Sequence, residues 1–145
     1  MKILALRNRQ RAVAVDSRLL RRQAQWVLEH GLAWPQYQIA IQLLSPTPMA
    51  RLNKKHLNHD GPTDILTFCY NESERHGELF ICPAVAQEQA GRFRVTTRNE
   101  LARYVIHGLL HMAGYDDKQS DARRTMKREE NRLLRRLTQQ RISAD

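Results

Sequence analysis

Long apolar runs are missing from this chain. Nothing in it approaches the roughly 18 consecutive apolar residues that a membrane-spanning helix needs. The opening stretch Met1-Lys2-Ile3-Leu4-Ala5-Leu6-Arg7 is too short, and too soon charged, for a secretory signal. A cytoplasmic protein with no membrane partner is therefore expected. Cysteine is scarce as well: Cys69 and Cys82 are the only two, too few for a disulfide scaffold. Both fall in strand-like runs, where they could be cross-strand neighbours, and the expectation is two buried thiols in a reducing compartment. Their spacing, with no Cys-x-x-Cys nearby, argues against zinc ligation by the pair. Internal repeats, low-complexity tracts and linkers are also absent. With 145 residues, 41% of them hydrophobic, one core and one domain over residues 1–145 are expected.

Acidic residues are the minority, 15 against 24 Lys and Arg, which gives a formal charge of +9. The excess sits at the two ends. Residues 1–22 carry a local +6 and residues 118–141 another +6, whereas residues 23–117 carry −2. Basic flanks around a near-neutral centre favour a polyanionic partner. Nucleic acid ranks ahead of an anionic membrane surface, because no helix pairs its basic face with bulky aromatic anchors.

The pattern of elements predicts a mixed α+β domain, about four strands packed with about five helices. Residues 2–6 read as a strand. Asp16 or Ser17 caps a helix that buries Leu20, Ala24, Val27 and Leu28 and ends at Gly31. Residues 37–43 alternate with period two, the clearest strand in the chain. Thr47-Pro48 starts a helix with Met49 and Leu52 inward, ending in the polar stretch 58–62. Residues 64–70 and 78–82 read as strands joined by a polar turn that holds His76 and Gly77. Pro83 opens a short helix through Ala90. Thr97-Arg98-Asn99-Glu100 has the capping-box pattern, and its helix runs to about Ala113, stopped by Gly114. A last helix from about Gln119 to Leu137 places Ala122, Met126, Leu133 and Leu137 on one side.

Chemistry concentrates in His107-Gly108-Leu109-Leu110-His111-Met112-Ala113-Gly114-Tyr115-Asp116-Asp117. Histidines four apart on a helix project from one face, one turn apart. That spacing lets two imidazoles reach one zinc-sized cation at about 2.0–2.1 Å. Leu101, Val105, Leu109 and Met112 form the apolar stripe on another face. A turn after Gly114 can bring Asp116 or Asp117 back over the histidines, and Asp117 completes His-x3-His-x5-Asp. Three protein ligands with an open fourth position characterise catalytic zinc. Gly108 costs the helix about 1 kcal/mol relative to alanine, and close approach of backbone or substrate would explain it. Helical zinc peptidases carry glutamate directly after the first histidine as general base. Here that place is Gly108, which excludes the usual peptidase route.

The histidine stretch closely resembles the signature of the YbeY family, bacterial metal-dependent endoribonucleases and rRNA maturation factors. Leu52-Asn53 followed by Pro62-Thr63-Asp64-Ile65-Leu66-Thr67-Phe68 is similar to that family's Leu-Asn and Thr-Asp-Val-Leu-Ser-Phe segments. Gly77-Glu78-Leu79-Phe80-Ile81 is similar to its Gly-Asp-Ile strand. The resemblance covers essentially the whole chain. It implies a zinc-dependent, single-strand-specific endoribonuclease that processes the 3′ end of 16S rRNA and serves ribosome quality control. One Zn2+ per chain at His107, His111 and Asp117 is implied, with rRNA or a pre-ribosomal particle, and ribosomal or assembly proteins, as partners. No catalytic residue is singled out beyond the water at the open position.

Two departures stand out. The family pattern ends in a third histidine where this chain has Asp117, a donor that zinc also accepts at about 2.0–2.2 Å. The family's Tyr-Arg pair is replaced by His56 and Leu57, which leaves Lys54 and Lys55 as the nearby candidates for nucleic-acid contact. A non-catalytic RNA- or ribosome-binding assembly factor with a weakened metal site is the competing reading, and a hydrolase of another substrate is a lesser one. His56 and His59 lie where they could reach the metal cleft. His30 reads as a helix-end residue, and Asp64 as a hydrogen-bond acceptor for the loop before it.

Overall fold

The strictest alternation in the chain occupies an inner strand. In the computed structural model, which describes residues 1–57 and 63–142, β2 (Tyr37–Leu44) buries Tyr37, Ile39, Ile41 and Leu43 on one face. It pairs in parallel with β1 (Lys2–Arg9) and with β4 (His76–Ile81). Strand β3 (Ile65–Asn71) pairs antiparallel with β4, so the mixed sheet has the order β1-β2-β4-β3. Polar and exposed residues gather on the edge strands β1 and β3, as suits edges that must not recruit other chains.

Five α-helices complete the small α+β domain among the described residues: α1 (Ser17–Trp26), α2 (Pro46–Leu57), α3 (Pro83–Phe93), α4 (Thr97–Met112) and α5 (Ser120–Thr138). A π turn, Val27–Gly31, extends α1. Asp16 caps α1 by accepting from the Leu19 N–H. None of the described helices is long and apolar enough to cross a membrane.

Several element boundaries differ from the sequence reading. Helix α2 starts at Pro46, because Ser45-Pro46 offers the same proline start two residues earlier and the Ser45 carbonyl accepts from Met49 N–H. Thr96, not Thr97, caps α4, accepting from Asn99 N–H at 3.0 Å; Glu100 is thereby moved out of the capping box and into the interior. Helix α3 continues past Gly91 to Phe93 and stops at left-handed Arg94. His76 is the first residue of β4 rather than part of the turn. Cys69 is exposed and lies opposite Gly77, while Cys82 is buried beyond the end of β4. The two thiols are therefore not cross-strand neighbours, because the register sets Cys69 against Gly77 and leaves Cys82 past the end of the ladder. The polar stretch 58–62, with His59, lies outside the described residues.

Helix α4 is the spine of the core. Ten of its residues are buried, as expected of a helix covered on several sides. It packs on β3 and β4 and touches α1, α3 and α5. Its approach to the sheet depends on two glycines. A Cβ on Gly108 would meet Ile65 Cδ1 and Leu79 Cδ2 at 2.8 Å, and one on Gly77 would meet the Phe68 carbonyl at 2.6 Å and Met112 Cε at 2.5 Å. Helix–sheet contact, rather than a substrate, therefore accounts for Gly108. Arg75 secures the far end of the helix, donating to the Met112 carbonyl and stacking on Trp34.

The two glycines should respond differently to a methyl group. Gly77→Ala drives Cβ into backbone, so a loss of about 1–3 kcal/mol is expected. Gly108→Ala meets only the ends of flexible side chains and regains about 1 kcal/mol of helix propensity. Urea unfolding should rank Gly77→Ala clearly below Gly108→Ala; equal midpoints would refute the close-approach account.

Candidate metal centre

A Schellman turn delivers Asp117 to the histidines. Helix α4 ends with Gly114 at φ 102°, its N–H bonded to the His111 carbonyl and the Tyr115 N–H to the Leu110 carbonyl. The chain then reverses over the last turn of the helix. Asp116 Oδ1 accepts from Lys118 N–H at 2.9 Å, so that carboxylate is engaged with the loop backbone. Asp117 faces the rings. Its Oδ2 lies 3.7 Å from His107 Nε2 and 3.5 Å from His111 Nε2, and the two Nε2 atoms are 3.2 Å apart.

These three separations form a nearly equilateral triangle. Donors at about 2.0–2.2 Å from a tetrahedral ion stand about 3.3–3.6 Å from each other, and the three separations lie within about 0.1 Å of that range, close to what a cation of zinc size needs. Among the described residues no fourth His, Cys, Asp or Glu joins the group. The side chains are only partly covered, at 26%, 30% and 43% exposure, which leaves the cluster open to a ligand from outside.

Glu130 on α5 fixes one of the rings. Its Oε2 sits 3.0 Å from His107 Nδ1, and a carboxylate there requires the proton on Nδ1. The neutral ring then presents its lone pair at Nε2, toward Asp117 and His111. Arg103 donates to Glu130 Oε1 at 2.8 Å and to Asn131 at 2.9 Å, and Lys127 Nζ stands 3.5 Å away. Burial pushes the Glu130 carboxyl up, but hydrogen bonds from His107 and Arg103 and the charge of Lys127 outweigh it and hold the group down at about 2. Burial pulls His107 down, and the hydrogen bond and charge of Glu130, with Asp117 and Asp64, override that and raise it. Burial also raises the neighbouring Glu100, against the pull of Arg103 and Lys127.

Sequence reasoning does not single out Glu130. A signal was available: Glu130 falls four after Met126 and three before Leu133, on the buried stripe of α5. Other candidates lie elsewhere. Lys54 and Lys55 are exposed near the end of α2, and neither lines the cavity beside the histidines. His56 packs edge-on against Phe68 at 4.9 Å, and His30 lies in the π turn against Trp26. Asp64 Oδ1 accepts from Ile65 N–H at 2.7 Å and Thr63 Oγ1 at 3.3 Å, and its side chain lines that cavity.

The pair has a defined pH window in metal-free protein. Glu130 titrates lower when folded, so its stabilisation is complete above about pH 4.5 and drains away toward pH 2. His107 titrates higher when folded, so its share is complete below about pH 6.5 and is lost as pH rises through the folded value. Glu130→Gln should flatten both limbs in urea midpoints measured across that range. It should also lower the His107 titration seen by NMR, since burial is then less opposed. An unchanged profile would separate Glu130 from His107.

Comparison with known proteins bears on the family and the fold. The family described as Endoribonuclease YbeY matches residues 5–138. A protein named Endoribonuclease YbeY from Chlorobium luteolum is 36% identical over 124 residues, covering 85% of this chain and 90% of that one. Its namesake from Thermotoga petrophila is 41% identical over 83 residues, 57% of this chain. There the chain spans only 55% of the relative's length. The solution structure of TM1509 from Thermotoga maritima superposes with a TM-score of 0.68 at 27% identity, over 94% of this chain and 89% of that one. A match running from β1 into the last turn of α5, on a shared fold, settles the kinship: the chain belongs to the YbeY family.

Proposed function

We propose that this protein is a zinc-dependent endoribonuclease that cuts single-stranded RNA during rRNA maturation. The observation that carries the reading is the donor triangle of His107, His111 and Asp117, open on its fourth side. The names of its relatives supply the substrate class. Processing of the small-subunit rRNA 3′ end, ribosome quality control, assembly-protein partners and a cytoplasmic location belong to the same proposal.

Each residue has a task in it. Glu130 holds the Nδ1 proton of His107 and so keeps the Nε2 lone pair aimed at the cluster. Arg103 anchors Glu130. His111 and Asp117 contribute Nε2 and Oδ2. When bound, zinc supplies Lewis acidity toward a phosphoryl oxygen and lowers the pKa of water at the open position. Gly108 leaves no base of the peptidase kind beside the site. Exposed Arg7, Arg9 and Arg11 near one end, and Arg124 and Arg128 on α5, suit the RNA backbone. Lys54 and Lys55 are proposed as further backbone contacts.

Protein purified without chelator should carry near one zinc per chain by elemental analysis, and Asp117→Ala and His111→Ala should lose it. Zinc that persists in Asp117→Ala would move the third ligand elsewhere. Glu130→Gln should weaken zinc binding about 10–100-fold. Cleavage of single-stranded RNA should stop on chelation, return with zinc, and be absent in His107→Ala. RNA binding that survives chelation, without cleavage products even after zinc is restored, would instead identify a non-catalytic assembly factor.

A further inference from the structure

Beside the donor triangle lies a cavity of about 290 Å³ between α3, α4 and α5, near the lower end of small-ligand sites at about 300–1,000 Å³. His107 and Asp117 form part of its wall. The rest is chemically mixed in a way the metal site does not need. Phe93, at the end of α3, lines it with 69% of its surface exposed. Tyr104 lines it while only 6% exposed, and its hydroxyl is buried with no hydrogen-bond partner among the described residues. Glu100, also 6% exposed, lines it too, its nearest cation being Arg103 Nε at 3.8 Å. Arg123 and Lys127, one turn apart on α5, are exposed on the same lining.

An orphaned hydroxyl in a native interior calls for a partner, and the residue that carries this one forms part of the cavity wall. An exposed aromatic ring provides a stacking surface, a buried carboxylate accepts N–H donors, and two cations offer phosphate contacts. Those are the requirements of a nucleotide. We propose that the cavity is a nucleobase pocket that selects a base carrying an exocyclic amino group, held so that its phosphate reaches the His107–His111–Asp117 cluster. The inference rests on the ribonuclease reading and adds the specificity to it. Phe93 stacks the base, Glu100 accepts from the amino group, and Tyr104 donates to the adjacent ring nitrogen or carbonyl. Uracil fits less well because its one donor to the carboxylate, the ring N3–H, lies between two carbonyl oxygens that the carboxylate repels, whereas an exocyclic amino group stands clear of the ring.

The test uses single-stranded oligouridylates with one central cytidine, adenosine or guanosine, and an all-uridine control, on the zinc-loaded protein. Binding is read by anisotropy and cut positions by sequencing gel. At least one amino-bearing base should bind, and direct cleavage beside itself, about tenfold better than uridine. Tyr104→Phe should shrink that ratio toward one, and Glu100→Gln should favour uridine. Phe93→Ala, at an exposed position, should weaken binding of every base about tenfold. Cleavage without base preference, or a preference untouched by Tyr104→Phe and Glu100→Gln, would overturn the pocket and leave the nuclease reading standing. Base-selective binding that depends on Tyr104, with no cleavage at all, would do the reverse.

Discussion

The docking of α4 onto the sheet is the constraint on which the remainder of the molecule depends. Two missing side chains, at Gly108 and Gly77, set how near the helix axis can come to β3 and β4. At that distance Leu79, Val105, Leu109 and Met112 are buried together in one hydrophobic cluster. A helix so enclosed has only a narrow strip left for polar work. His107 and His111 occupy that strip, half-covered, with the remainder of the helix held fixed around them. The cluster is therefore placed by packing, and the tightness of an apolar interface becomes the precision of a polar site.

Electrostatics then finishes what packing begins. Glu130 is a carboxylate on the buried side of a predominantly basic helix, and such burial is tolerated only with partners. His107 and Arg103 are those partners, one on each oxygen. The arrangement ties α5 to α4 through ionic hydrogen bonds in addition to Met126 and Leu133. It also chooses the tautomer of His107. One acidic residue thus connects the stability of the helix pair to the chemistry of the cluster. Lys127, on the same helix, serves in part to keep that carboxylate ionised.

Much of this was legible in the chain. Period-two alternation located β2, and the four-residue spacing of His107 and His111 put both rings on one face. Gly114 announced the reversal that returns Asp117, and even the choice of Asp117 over Asp116 agrees with the hydrogen bond Asp116 makes to its own loop. Other features depend on tertiary context that spacing cannot carry. Thr96 and Thr97 are both adequate caps, and only the burial of Glu100 decides between them. Ser45-Pro46 and Thr47-Pro48 are rival starts for α2. The register that sets Cys69 opposite Gly77 is fixed by the pairing of β3 with β4. Glu100, Arg103 and Tyr104 resemble ordinary helix residues until α3 and α5 enclose them.

The carboxylate at position 117 alters the charge of the cluster in a way that accounts for its surroundings. Two neutral imidazoles and one carboxylate would leave a dication held there with about one net positive charge, less than three imidazoles would. Glu130 adds a second negative charge behind His107. A centre of reduced charge attracts a phosphodiester less strongly and acidifies water less. Positive charge is restored at the rim instead: Arg103 and Lys127 flank Glu130, and Arg123 stands over the adjoining cavity. The near-neutral middle of the chain and its two basic ends, +6 each, are the same division seen in sequence. Positive charge is concentrated toward the two ends, where it would attract a polyanion, and the middle keeps a balanced set of charges whose positions, rather than whose sum, set the electrostatics of the cluster.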